Sequence, residues 1–144
     1  MPHANPPDQQ LTALLAHAST IAMVGASSNP EKPSHRIMRK LQDAGYKVIP
    51  INPRETEVLG EPAYASLSDV PEPIDIVDVF RKAEDTPPIA DEAVKAGAKA
   101  FWLQDGISNE DAASRATAGG LTVVMDKCIG VTHAALRIPK KDRQ

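Results

Sequence analysis

Thr20 to Ile37 reads TIAMVGASSNPEKPSHRI, and the order of its parts decides the fold. A short apolar run ends at Gly25, and a polar loop rich in serine follows. Helical spacing begins at Ser34, with Ile37, Met38, Leu41 and Ala44 on one side and Gly45 as a stop. This is the layout of the first strand, turn and helix of a nucleotide-type βαβ unit. The loop keeps one glycine of the dinucleotide fingerprint and lacks the second and third. Lys32, His35 and Arg36 lie in that region instead. A glycine turn rimmed with cations suits an anionic ligand.

Working outward, the alternation repeats. YKVIPIN, IDIVDVF, AFWLQ and LTVVM read as four further strands, and the Ile and Val content of IDIVDVF favours a sheet. Pro50 marks the second as an imperfect ladder. Helices fall between them. One is capped by Asp85 or Thr86, carries Pro87 in its first turn and stops at Gly97. Another opens with Ser108 and Asp111 in capping-box spacing and ends at Gly119-Gly120. VTHAALRI closes the chain as a helix stopped by Pro139. The stretch between strands two and three reads as irregular, with a short helix at Ser66 to Val70. Before strand one, Asp8 caps a short helix whose Leu11, Leu14, Leu15 and Ala18 share a face.

Parallel strands need crossovers, and crossovers are almost always right-handed. Five strands alternating with helices therefore predict an α/β fold: a Rossmann-like, doubly wound, five-stranded parallel sheet in a single domain. The expected organisation is a tail and short helix over 1–18, the domain over 19–138 and a tail over 139–144. Residues 1–7 carry three prolines and are expected to hang loose, and PKKDRQ is expected to be solvated.

Bulk properties narrow the function classes. The 144 residues suffice for one domain with a real core. A formal net charge of -3 with scattered Lys and Arg argues against a sequence-independent grip on nucleic acid, and 3% aromatics argues against base-stacking platforms. No apolar run nears the ~20 residues that cross a bilayer, and MPHANPPDQQ does not resemble a signal peptide. A single cysteine forms no internal disulfide. A reducing cytoplasm is the expected location. Protein partners are not specified, a homo-oligomer included.

In doubly wound sheets ligands bind beyond the carboxyl ends of the strands. That rule selects GASSNPEKPS, NPRE, FRKAEDTP, QDGIS and DKCIG, four of which contain a basic residue. Gly25 allows a tight turn and close ligand approach, and the next helix aims its free N–H groups at the same space. Ser27, Ser28 and Ser34 add donors. A plain βα loop would also show these features. An NAD site expects an acidic residue at the end of strand two, about 20 residues past the glycine turn. Here stand Asn52, Pro53 and Arg54, which suit a ribose phosphate, as in NADP or coenzyme A. Glu55 either pairs with Arg54 or points away.

VGASSNPEKPS, GYKVIPINP, IDIVDVFR, WLQDGISNEDAA and GLTVVMDKCI together resemble the stand-alone CoA-binding domain family. That family is similar to the N-terminal domain of the succinyl-CoA synthetase α subunit. The resemblance runs from about Ser19 to Leu136 and implies coenzyme A held across the strand ends. By position it implies Gly25, Ala26 and Ser27 at the diphosphate with Lys32 nearby, and Asn52, Pro53 and Arg54 around the adenosine and its 3′ phosphate. It further implies Val79, Phe80 and Arg81 as the opposite wall, with Gln104 and Gly106 bordering the pantetheine path. Asn29-Pro30 replace a glycine of the ligase loop, and the ligase's later domain with its phosphorylated histidine has no counterpart here. The implied role is binding of CoA or an acyl-CoA, without catalysis of its own.

Other readings are weaker. A nucleophile elbow at Ser27 needs a glycine where Asn29 stands. Cys128 and His133 could be drawn as a thiol–imidazole pair, although a lone cysteine at a strand end is commonly an apolar filler. The four histidines show no metal-ligand spacing. Trp102 reads as core, and Arg81 could simply pair with Glu84 or Asp85. The rival function is an NADP-binding enzyme or redox sensor, which lacks a second domain to hold a substrate. A scaffold that has lost its ligand would leave the basic strand ends unexplained.

Overall fold

The computed structural model describes residues 3–141. Helix α1 (Asp8–His17) precedes β1 (Thr20–Val24), α2 (Pro33–Asp43) and β2 (Lys47–Ile51). Two short strands follow, β3 (Glu57–Val58) and β4 (Glu61–Pro62), and then β5 (Ile76–Val79). The chain continues through α3 (Thr86–Lys95), β6 (Ala100–Leu103), α4 (Glu110–Ala118), β7 (Thr122–Val124) and α5 (Ile129–Ala135). The main sheet has five strands in the order β2-β1-β5-β6-β7, and every pairing in it is parallel. The expected architecture is therefore the observed one.

The chain leaves β1 toward β2 on one side and returns across to β5 on the other. This makes the β1–β5 boundary the switch point. Strand alternation sends side chains to two separate cores. Ala22, Val24, Val77, Val79, Phe101 and Leu103 pack against Ala90, Ala93, Ala112 and Ala116 of α3 and α4. Ile21, Met23, Ile76, Trp102 and Val124 pack against Leu11 and Leu15 of α1, Met38 and Leu41 of α2, and Ile129 of α5. Both faces are covered, which is why the strands read as near-continuous apolar runs. Each large side chain buried in these layers contributes roughly 1.5–3 kcal/mol. Trp102 is fully buried and donates Nε1–H to the Lys127 carbonyl at 2.7 Å. Pro50 fits because β2 is an edge strand: its carbonyl faces outward and accepts from Tyr64 N–H at 3.0 Å. Among the described residues no helix is long and apolar enough to cross a membrane.

Several local expectations need correction. Asn109, not Ser108, caps α4, accepting from Ala112 N–H at 2.9 Å. Pro7 occupies the cap position of α1, so Asp8 lies inside the first turn, where its charge favours the helix dipole. Asp85 occupies the cap position of α3, as expected, but its side chain makes no capping hydrogen bond, and Thr86 turns its hydroxyl back to the Ala83 carbonyl at 2.7 Å. Helix α5 begins at Ile129 and ends before Pro139, because Arg137 adopts φ 55°. The short helix expected at Ser66 to Val70 is a 3₁₀ turn over Leu67–Asp69.

Both termini are more tied down than their composition suggests. Asn5 donates Nδ2–H to the Met125 carbonyl and accepts the Met125 N–H, each at 2.8 Å, mimicking a strand at the outer edge beyond β7. Lys141 N–H reaches the Ala44 carbonyl at 2.8 Å, and its ammonium lies 5.1 Å from the Tyr46 ring centroid. The expected solvated tail beyond it and the first two residues lie outside the described residues.

Candidate functional site

The ends of β1 and β5 meet at Gly25 and Phe80. Gly25 has φ 89°, and a Cβ there would overlap the Phe80 carbonyl oxygen and stand 3.2 Å from Arg81 Cδ. Only glycine fits. Its N–H completes the ladder to the Ile51 carbonyl at 2.9 Å, and the Phe80 N–H meets the Val24 carbonyl at 2.8 Å, so the turn is anchored on both sides.

Above this junction opens a cleft of about 430 Å³, lined by Gly25, Ser27, Lys32, Pro33, Ser34, Asn52, Phe80, Arg81, Lys82 and Ile107. Lys32, Pro33 and Ser34 belong to the N-terminal end of α2, whose dipole is positive there. Three cations, Lys32, Arg81 and Lys82, surround the same space. Arg81 is loosely held: its guanidinium is 4.0 Å from Asp85, and both side chains are nearly half exposed. Such a pair contributes little and leaves the arginine available to another anion. A depression of about 490 Å³ against α4 is larger but lined by His3, Glu110, Ala113, Ser114, Thr117 and Ala118, with no glycine turn and no lysine or arginine.

The β1–α2 loop is shaped by its own polar groups. Ser27 Oγ accepts the Asn29 N–H, and Asn29 Oδ1 accepts the Glu31 N–H, both at 3.0 Å. His35 carries its proton on Nδ1, because that nitrogen faces the Ser27 carbonyl at 2.9 Å. Asn52 joins this loop to the turn after β2. Its Nδ2–H donates to the Ala26 carbonyl at 2.8 Å, while Oδ1 accepts the Arg54 N–H at 2.9 Å. Glu55 does not pair with Arg54. Its Oε2 accepts both the Ser28 N–H at 2.8 Å and the Ser28 hydroxyl at 2.9 Å.

The structure thus gathers Gly25, Ser27, Lys32, Asn52, Phe80 and Arg81 around one cleft. Ala26 is buried and does not line the cleft, and its carbonyl accepts from Asn52. Pro53 borders a second depression, of about 310 Å³, with Ser66, Leu67 and Asp85, and Arg81 forms the wall between the two. Arg54 is exposed and lines neither. Val79 faces the α3–α4 core. Gln104 is buried, its Nε2–H donated to Asp78 Oδ1, and Gly106 makes a turn whose N–H meets Asp126 Oδ1 at 2.7 Å; neither borders the cleft.

Sequence reasoning passed over Lys82, although it stands beside Arg81 in FRKAEDTP, and Ile107, whose loop position gave no signal. Asp78, on β5 beneath the site, is fully buried, and burial pushes its carboxyl up to about 8 against the lowering effect of the Gln104 hydrogen bond. Burial thus favours the neutral form of this acid. Cys128 is half-buried at the cap position of α5, and His133 turns its ring to Tyr46, edge-on with centroids 5.6 Å apart. Burial lowers the His133 pKa, with the Lys141 charge adding to the effect.

Comparison with known proteins agrees with this geometry. Residues 19–134 match the model of the CoA binding domain. The chain is 42% identical over 133 residues to the uncharacterized protein YneT of Bacillus subtilis, covering 92% of this chain and 98% of that one. A hypothetical protein from Pyrococcus horikoshii has the same fold, with TM-score 0.89, 35% identity, and coverage of 95% of this chain and 99% of its own. An ADP-forming acetate–CoA ligase of Methanocaldococcus jannaschii is 32% identical over 85 residues, which span 59% of this chain but 12% of the ligase. The glycine turn at the switch point and the match over residues 19–134 place this chain in the CoA-binding domain family.

Proposed function

We propose that the chain binds coenzyme A, free or acylated, in the cleft between Gly25 and Arg81, and acts by binding rather than by catalysis. One observation carries the reading. At the switch point, where this architecture receives nucleotides, the glycine turn and the N-terminal end of α2 share a cleft with Lys32, Arg81 and Lys82.

The donor set fits the ligand's chemistry. Coenzyme A carries a diphosphate and a separate ribose phosphate, so it asks for several cations and for backbone N–H groups that a side chain would obstruct. A Cβ at Gly25 would close the floor. When bound, coenzyme A supplies a thiol at the end of a long flexible arm. The chain's own groups would hold the anionic end: Lys32 and α2 at the diphosphate, Arg81 and Lys82 across from them, and Asn52 fixing the loop that receives the ribose. Phe80 offers apolar surface at the same wall.

The polar groups of the cleft favour binding. Ser27 Oγ is engaged by the Asn29 N–H, and the His35 ring bonds the Ser27 carbonyl rather than its hydroxyl. Neither arrangement prepares a nucleophile.

Thermal unfolding with CoA, acetyl-CoA, dephospho-CoA, ADP, NAD and NADP tests the reading, since a ligand selective for the folded state raises its stability with concentration. CoA or acetyl-CoA should give the largest upward shift in Tm. A larger shift with NADP, or none with any CoA species, overturns it.

A further inference from the structure

In the β1–α2 loop, which leads into the helix end that the proposed function sets at the diphosphate, two donors already have an anionic acceptor. Ser28 follows Ser27 in the β1–α2 loop, and both its backbone N–H and its hydroxyl point to Glu55 Oε2, at 2.8 and 2.9 Å. Hydrogen bonds to a charged acceptor are the strong ones. Glu55 reaches them from the turn after β2; neither Ser28 nor Glu55 lines the cleft, but Ser27, next to Ser28, and Asn52, three residues before Glu55, both do. Its negative charge therefore lies next to residues that border a cleft whose own formal charges are Lys32, Arg81 and Lys82.

We infer that Glu55 is an internal competitor for the phosphate-binding loop, a latch that a phosphorylated ligand must displace from Ser28 before it occupies the loop fully. The inference rests on the proposed function only for the identity of the ligand; the competition is between two anions for the same donors.

Two features separate a latch from a strut. The same two segments are already joined by Asn52, through its Nδ2–H to the Ala26 carbonyl and its Oδ1 from the Arg54 N–H. That neutral clasp keeps the loop in place when Glu55 leaves. The Glu55 contact, by contrast, involves donors facing an exposed loop, where water or a phosphate oxygen can replace a carboxylate oxygen. Exchange conserves the hydrogen bonds of Ser28 and releases the carboxylate to solvent. Removing the carboxylate's charge removes both the competition and the repulsion felt by an incoming phosphate.

Glu55→Gln tests this, since the amide keeps the shape and loses the charge. Titration calorimetry at low ionic strength would use inorganic pyrophosphate, CoA and unphosphorylated adenosine. Glu55→Gln should bind pyrophosphate and CoA at least about 5-fold more tightly than the native chain, leave adenosine unchanged, and lose most of that gain in high salt. Equal or weaker binding of both phosphorylated probes by the variant overturns the latch. If CoA binds native and variant chains alike, the latch falls while the CoA reading stands. If pyrophosphate gains and CoA binds neither, the latch stands and the CoA reading falls.

The amide resonance of Ser28 in the native chain gives a second measure independent of the variant's folding. It should move on addition of pyrophosphate as its acceptor changes. A Ser28 amide that stays fixed while pyrophosphate saturates the cleft overturns the latch by itself.

Discussion

Gly25 and the carbonyl of Phe80 are in direct apposition across the β1–β5 junction, at the floor of the cleft, and the space a side chain would need at residue 25 is the space the carbonyl occupies. Gly25→Ala therefore meets two obstacles at once: φ 89° disfavours any L side chain, and the new methyl overlaps backbone that the ladder holds. The strained conformation alone is worth roughly 1–2 kcal/mol, and moving Phe80 adds to it. Urea denaturation should show a loss of at least about 2 kcal/mol, with CoA-induced stabilisation abolished. A variant as stable as the native chain would mean that the two strand ends separate freely.

Arg81 and Lys82 should act as ligand contacts rather than structural ones. The nearest carboxylate to the Arg81 guanidinium described here is Asp85 at 4.0 Å, an exposed pair whose loss changes stability by well under 1 kcal/mol. Arg81→Ala and Lys82→Ala should each weaken CoA several-fold at low salt, with less difference at high salt, and shift Tm little. Calorimetry at two ionic strengths checks this. A salt-independent loss, or a large fall in Tm, would assign these side chains to packing.

Arg54 lies outside the cleft, exposed on the turn after β2, with its backbone N–H fixed by Asn52. If it serves the ribose phosphate, Arg54→Ala should weaken CoA more than dephospho-CoA, by roughly the factor of 5–10 that one partly solvated charge-assisted hydrogen bond provides. Equal losses for the two ligands would give that phosphate to Lys32, Arg81 or Lys82 instead.

These residues also mark what could be read in advance. The strands were legible because Ile21–Val24, Val48–Ile51 and Ile76–Val79 are buried on both faces and so, Asp78 apart, carry apolar residues without alternation. The glycine turn was legible because Gly25 leaves no choice of residue type. Alternation along β5 also implied that Val79 and Phe80 face opposite sides, so that only one of them could border the cleft. The hairpin of Glu57–Val58 with Glu61–Pro62 is too short to leave a periodic signal. The Ser28–Glu55 bonds span 27 residues, and the pairing of Asn5 with Met125 spans 120. No local pattern reports contacts made by folding distant loops together. The same holds for Gln104, which the family resemblance sets beside the pantetheine path and whose side-chain partner, 26 residues away, is a buried acid.

That acid, Asp78, makes stability depend on pH in a predictable direction. Its carboxyl is pushed up to about 8 in the folded chain, chiefly by burial, while an unfolded chain restores the ordinary aspartate value of 3.8. Between those values the folded state holds a proton that the unfolded state has released, so raising pH favours unfolding by up to about 1.4 kcal/mol per pH unit. The contribution is fully present below pH 4, declines through the neutral range and is lost once pH passes about 8. Oδ2 has no partner among the described residues, so ionisation there is uncompensated. Asp78→Asn keeps the shape and the contact with Gln104 but cannot ionise. Melting native and variant chains from pH 4 to pH 9 should show the variant gaining on the native chain steadily up to about pH 8, then holding a constant lead. Parallel curves over that range would mean that Asp78 is already ionised in the folded protein and that its charge is met by groups the sheet does not reveal.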